Sequence, residues 1–273
     1  MHILVTNDDG IDSPGLWALA GALQSSGLGR VSIVAPESEQ SGTGMSLPMR
    51  IEHHIRAVPA PDPAHAEIAA FAFSGTPAGC VTAGMLTGLC PRPDAVVSGI
   101  NRGLNSGTNV LLSGTVGAAM VAALWGLPAM AISLQFVGDA PMPWATAAWA
   151  ATRLFPLLEG LRARGPLLLN VNVPHIHNIA DLRGFRQTSV SEFFFGRCLD
   201  LPLEPEDDNG RRRVHFRFVR ERIPDFPEAS DDGAIRAGYV SLTPLSPVLG
   251  RDDVDLTAAL AAAGLRAAAA SAP

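Results

Sequence analysis

The sequence predicts an α/β fold: a doubly wound, mostly parallel, Rossmann-like sheet with a C-terminal β-hairpin arm and a terminal helix. Two observations predict it. Through the first two thirds of the chain, short apolar runs ending in polar turns alternate with helix-period segments. Strands separated by helices of about ten residues or more pair in parallel, with helices on both faces. After Pro174 the pattern changes to two aromatic-rich stretches around Asn209-Gly210, a strong hairpin signal. The 273 residues suit one elaborated domain or two small ones. The division expected is an α/β core over 1–180 and a segment of hairpin arm, returning strand and terminal helix over 181–273.

Taken in order, residues 2–6 form a buried strand ending in the turn Asn7-Asp8-Asp9-Gly10. Pro14 opens a helix over 15–24, with Leu16, Leu19, Ala20 and Leu23 spaced for one buried face. Residues 31–35 are the second strand, stopped by Pro36 and followed by a polar loop over 37–46. Extended stretches over 50–58 and 67–74 surround a Pro-rich turn. A helix over 77–89, a strand over 94–98 and a Gly/Asn-rich loop over 99–107 come next. A buried helix from Ser113, a strand over 129–134, a helix over 144–164 and a strand over 167–173 complete the core.

The hairpin strands are expected over 185–195 and 213–222, where Val214, Phe216 and Phe218 alternate with His215 and Arg217. With Phe193, Phe194 and Phe195 they make more apolar surface than a lone hairpin hides. It is either an arm gripping another subunit or an extension folded back on its own sheet. Residues 240–243 read as a returning strand and 254–270 as an Ala-rich terminal helix.

Composition narrows the function. Hydrophobic residues make up 47% and charged ones 17%, which excludes disorder or a coiled coil for most of the chain. All 20 basic residues are Arg. The absence of Lys excludes Schiff-base chemistry, a Ser-Lys dyad and a P-loop lysine. A net charge of −6 argues against nucleic acid as the partner. Residues 103–138 carry no charge, but Gly126 and Pro128 divide the apolar run into a buried helix and a buried strand, so no membrane span is expected. Cys80, Cys90 and Cys198 form no CxxC pair and read as free thiols. With no signal-like N-terminal pattern, a cytoplasmic location is expected.

In a doubly wound sheet, ligands bind past the carboxyl ends of the strands. Three polar loops fall there: Asn7, Asp8 and Asp9; Ser38, Ser41 and Thr43; and Ser98, Asn101, Asn105 and Ser106, with Ser113 and Thr115 at the next helix start. Carboxylates, amides and hydroxyls are hard oxygen donors that suit Mg²⁺, Mn²⁺ or Ca²⁺. Adjacent aspartates repel unless a cation neutralises them or one is protonated. An isolated Asp-Asp-Gly reads first as a solvated turn; two more oxygen-rich loops on the same edge turn the reading to a metal site. Ser113-Gly114-Thr115 opens a helix whose free amides either cradle an anion or are simply capped by Ser113. Together these features point to phosphate-ester hydrolysis.

The run Ile3-Leu4-Val5-Thr6-Asn7-Asp8-Asp9-Gly10 with Pro14-Gly15 resembles the opening of the SurE family of metal-dependent nucleotidases. So do Val34-Ala35-Pro36 leading to Gln40-Ser41-Gly42, Ser74-Gly75-Thr76-Pro77, Pro93-Asp94 through Ser98-Gly99-Ile100-Asn101, Ser113-Gly114-Thr115-Val116, and Gly238-Tyr239-Val240-Ser241-Leu242-Thr243-Pro244. The resemblance implies a 5′/3′-nucleotidase that hydrolyses nucleoside monophosphates to nucleoside and phosphate through a metal-activated water. It implies one divalent ion per subunit on Asp8, Asp9, Ser41 and Asn101, and a homodimer or homotetramer formed through the C-terminal region. On this reading Asp8, Asp9 and Asn101 are catalytic, while Asn7, Gly42, Asn105, Ser113, Gly114 and Thr115 meet the phosphate or substrate. Gly79, Arg236 and Ala237 stand where the family usually carries acids.

The alternative is a non-catalytic nucleotide-binding or assembly protein that keeps the pocket. An aspartyl-phosphate on Asp8 is disfavoured because that chemistry wants acids separated by one residue, and a glycosyltransferase lacks its Asp-x-Asp motif. His175 and His177 read as loop residues and His53 and His54 as strand residues. Arg211, Arg212 and Arg213 read as balanced by Glu204, Glu206, Asp207 and Asp208 across the hairpin.

Overall fold

The computed structural model describes residues 1–247. The terminal helix expected over 254–270 lies outside the described residues. Five parallel strands make the centre: β1 (His2–Thr6), β2 (Arg30–Pro36), β5 (Ala95–Arg102), β6 (Ala129–Leu134) and β7 (Leu168–Val173). β3 (Ile55–Val58) and β4 (Ala69–Phe73) extend one side, and β11 (Val240–Leu245) and β8 (Phe185–Gln187) the other. The order is β3-β4-β2-β1-β5-β6-β7-β11-β8. Among the described residues, only β3 on β4 and β11 on β7 pair antiparallel within this sheet. The doubly wound reading holds.

Alternation along the strands divides the core into two layers. Ile3 and Val5 of β1 face one side, with Ala95 and Val97 of β5 and Met130, Ile132 and Leu134 of β6. This side packs on α1 (Pro14–Ser25) and α4 (Trp144–Leu154) through Leu16, Leu19, Leu23, Ala147 and Ala151. Leu4, Val96, Ala129 and Ala131 face the other way, onto α2 (Pro77–Leu86) and α3 (Gly114–Leu124). Strands buried on both faces read as unbroken apolar runs, which is why the sequence marked them clearly.

The structure also corrects several boundaries. The helix expected over 144–164 is broken: α4 stops at Leu154, a 3₁₀ turn spans Phe155–Leu157, and α5 is Leu158–Arg162. Pro156 supplies no N–H to continue the ladder. β5 runs on to Arg102 through a register shift between Ser98 and Asn101, so the start of the expected loop is strand. The hairpin differs most. Residues 185–187 are β8, paired parallel to β11 in the main sheet. The arm is formed instead by β9 (Leu199–Asp200) against β10 (Arg217–Phe218), with an isolated bridge between Leu203 and Val214. Its turn is closed by Gly210 N–H to Asp207 C=O at 2.9 Å. Across the arm Arg217 and Arg222 each approach Asp200 at 2.7 Å, and Arg212 meets Glu206 at 3.4 Å. Arg211 meets Asp207 at 3.2 Å, so Arg211 and Arg212 find the acidic partners across the turn that the sequence suggested. Among the described residues, no helix is long and apolar enough to cross a membrane.

Helix α3 lies directly against the loop that follows β2. Gly44 N–H donates to Leu112 C=O at 3.0 Å, and a Cβ at Gly117 would overlap the Gly44 carbonyl. In an open helix, Gly to Ala stabilises by about 1 kcal/mol. Here Gly117→Ala is expected to destabilise by about 1–3 kcal/mol, because a packed backbone must move. Urea unfolding checks this, and an unchanged or raised midpoint would show that the loop does not rest on α3.

Candidate functional site

The chain reverses its winding direction at β1, with β2 on one side and β5 on the other. This opens a crevice at their carboxyl ends. Asn7, Asp8 and Asp9 leave β1 at that point. Asp8 is buried, and its Oδ1 accepts a hydrogen bond from the Thr115 hydroxyl. The first turn of α3 lies under it: a Cβ on Gly114 would stand 2.8 Å from the Asp8 Cβ. Only glycine lets the helix start so close. Asp9 Oδ2 accepts the Arg102 N–H at 3.1 Å, which ties it to the end of β5.

Burial pushes the Asp8 carboxyl above the usual carboxylate range, against the pull of its bond from Thr115. Burial and the neighbouring charge of Asp8 push Asp9 up to about 6. Both shifts report carboxylates held away from water, with the charge of Arg102 only partly offsetting the push on Asp9.

The second loop is fastened to the first by Gln40 N–H donating to Asp8 C=O at 2.7 Å. Ser41 Oγ donates to Glu39 Oε1 at 2.9 Å. In the third loop, Asn101 Nδ2 donates to Gly103 C=O at 2.9 Å, which leaves Asn101 Oδ1 uncommitted. Asn105 is held from the interior of the sheet. Its N–H donates to Asn172 Oδ1 at 2.9 Å, its C=O accepts from Asn170 and Asn172, and its Nδ2 donates to Ser133 Oγ at 2.9 Å. Ser113 Oγ accepts the Val116 N–H at 3.1 Å, an N-cap on α3.

These groups surround a cavity of about 440 Å³. Of the residues expected from sequence, Asp8, Ser41, Gly42, Asn101, Asn105 and Ser113 line it. Asp9, Asn7, Gly114 and Thr115 do not form its wall. Thr115 spends its hydroxyl on Asp8 and is not free to orient a phosphate, and Asn7 Nδ2 donates to Gly10 C=O at 2.9 Å. A larger cavity, about 550 Å³, lies between residues 189–198 and 222–230 and includes none of the three loops.

Among the described residues no three His, Cys, Asp or Glu side chains cluster as metal ligands. The donor set here is two carboxylates with neutral oxygens. It suits a hard divalent cation and not zinc. The carboxylates held up by burial and the buried, unpartnered Asn7 Oδ1 agree with that fit.

Sequence reasoning missed a fourth contributor. α6 (Asp231–Arg236) brings Asp231 and Asp232 against the loop that follows β5. Asp231 accepts from Gly107 N–H at 2.8 Å and Ser191 N–H at 3.0 Å, while Asp232 accepts from the hydroxyls of Ser106 and Ser191, both at 2.6 Å. Leaving such buried donors unpaired costs about 1–3 kcal/mol each. The available signal was Ser230-Asp231-Asp232 as a helix start. Nothing local in the sequence reveals partners more than a hundred residues upstream.

A Survival protein SurE family model matches residues 3–196. The chain belongs to the SurE family. It is 37% identical to the 5′-nucleotidase SurE of Synechococcus sp. (strain JA-3-3Ab), over 91% of this chain and 93% of that one. With the 5′-nucleotidase SurE of Xanthomonas campestris pv. campestris (strain 8004) it shares 36% identity over 98% of both chains. The crystal structure of the SurE protein from Aquifex aeolicus superposes with a TM-score of 0.72 at 28% identity, covering 97% of this chain and all of that one. The resemblance read from the sequence motifs is thereby borne out.

The Asp9 shift has a measurable consequence in this SurE chain. Its folded carboxyl sits at about 6 against 3.8 for the free group. Between these values the folded chain holds a proton that the unfolded chain releases, so metal-free stability falls as pH rises from 4 through 6 and levels above. The contribution is about 1–3 kcal/mol. The gap in unfolding free energy between Asp9→Asn and the wild type should widen by that amount between pH 4 and 7 in chelator. A constant gap would place Asp9 in water.

Proposed function

We propose that this SurE-family protein is a divalent-metal-dependent 5′/3′-nucleotidase, which hydrolyses nucleoside 5′- or 3′-monophosphates to nucleoside and phosphate. The observation that carries the reading is the pair of desolvated aspartates beside the capped start of α3, in a chain whose relatives are named 5′-nucleotidase SurE. Asp8, Asp9, Ser41 and Asn101 would hold one Mg²⁺ or Mn²⁺, with Ca²⁺ a further candidate. When bound, the ion supplies positive charge against phosphoryl oxygens and acidifies a coordinated water.

The chain's own residues do the rest. Thr115 fixes the rotamer of Asp8, and Arg102 N–H fixes Asp9. Ser113, Asn105 and Gly42 on the cavity wall, with the amides at the start of α3, offer polar groups to the phosphate. Asn7 and Gly114 act from behind, by shaping the turn and by letting α3 approach.

A homodimer or homotetramer formed through the arm is part of the proposal. Phe216 is 73% exposed and stands near exposed Leu203, Val214 and Phe218, more apolar surface than a free arm carries comfortably. Three buried free thiols favour a reducing, cytoplasmic setting.

The test is phosphate release from a panel of nucleoside monophosphates with and without chelator. Activity should need added Mg²⁺ or Mn²⁺, and Asp9→Asn should lose at least about a hundredfold while its far-UV circular dichroism stays unchanged. Metal-dependent nucleotide binding without phosphate release would contradict an enzyme and favour a binding protein.

A further inference from the structure

One wall of the cavity has no role in holding a metal or a phosphate. It is lined by Phe193, Phe195, Leu104 and Leu112. A volume of about 440 Å³ lies in the range of sites for whole small molecules, well beyond the needs of a lone phosphate. We propose that the rings of Phe193 and Phe195 form the stacking platform for the nucleobase of the substrate. This rests on the nucleotidase reading above and says which residues grip the other end of the nucleotide.

The first support is that the platform is fixed in place. Phe193 C=O accepts from the Thr108 N–H at 3.0 Å, the Thr108 hydroxyl at 2.9 Å and Asn109 Nδ2 at 3.3 Å. Phe195 N–H donates to Asn109 Oδ1 at 2.9 Å. Two residues earlier, Ser191 is held through its N–H by Asp231 and through its hydroxyl by Asp232. The segment with the rings is thus bonded to the same loop, 105–109, that supplies Asn105 to the cavity. The Phe226 ring packs edge-on against Phe193 with centroids 5.3 Å apart. Rings held before the ligand arrives lose little freedom on binding it.

The second support is what the polar groups of this wall are already doing. Asn109 uses Nδ2 on Ser106 C=O and Phe193 C=O, and Oδ1 on Phe195 N–H. Asp232 receives a hydroxyl on each oxygen. Neither is free to read the edge of a base. Phe193, Phe195, Leu104 and Leu112 offer an aromatic and aliphatic surface, and every base has a face that stacks on it.

The test is steady-state kinetics of Phe193→Leu, Phe195→Leu and Phe193→Tyr on adenosine 5′-monophosphate and on ribose 5-phosphate, which lacks the base. Each Leu variant should lose about tenfold or more in kcat/KM on the nucleotide, chiefly through KM. Ribose 5-phosphate turnover should match the wild type, and Phe193→Tyr should keep nucleotide activity. Equal losses on both substrates would overturn the platform in favour of a purely structural role. Unchanged nucleotide kinetics in both Leu variants would overturn it while leaving the nucleotidase reading intact. A wild type that releases phosphate from neither substrate would remove that reading and the platform with it.

Discussion

Asp8 and Asp9 stand side by side where β1 leaves a sheet buried on both faces, and the rest of the site follows from the cost of placing them there. Carboxylates withdrawn from water become protonated or find positive charge. The chain partly compensates with neutral donors: the Thr115 hydroxyl on Asp8 and the Arg102 amide on Asp9. The charge of Arg102 draws the Asp9 carboxyl down, but by less than burial and Asp8 push it up. Positioned neutral donors hold both carboxylates in place without cancelling their charge. That is the arrangement expected of a site whose positive charge comes from outside the chain.

The surrounding fold keeps this pair fixed. α3 comes within contact of Asp8 because Gly114 has no side chain, and the Ser41 loop rests on α3 because Gly117 has none. Asn170 and Asn172 break the apolar run of β7, yet both are fully buried. Their amides hold the backbone of Asn105 from inside the sheet. The C-terminal segment reaches the cavity wall through Asp232, while Asp231 ties Gly107 to Ser191. Residues from both sides of the expected division at 180 therefore meet in one cavity.

Much of this was legible in the sequence, for a physical reason. β1, β2, β5, β6 and β7 are buried on both faces and so appear as apolar runs, and their polar exits mark the carboxyl edge. Six of the ten residues expected at the site line the cavity, and the other four stand just behind it. The C-terminal third was read less well because long-range pairing decides it. Residues 185–187 join β11, which local alternation does not reveal, and Phe193 and Phe195 are cavity wall, not strand. Asp231 and Asp232 look like a solvated helix start until Ser106, Gly107 and Ser191 are brought to them. The family resemblance supplied the metal ligands as a set; spacing alone shows only that oxygen-rich loops share an edge.

Calorimetric titration of the metal-free protein with Mn²⁺ at neutral pH tests the central claim most directly. The account predicts saturable binding of one ion per chain, weakened at least about a hundredfold in Asp8→Asn with the fold retained. Absence of binding in the wild type, or equal affinity in the variant, would show that the aspartate pair does not exist to hold a cation.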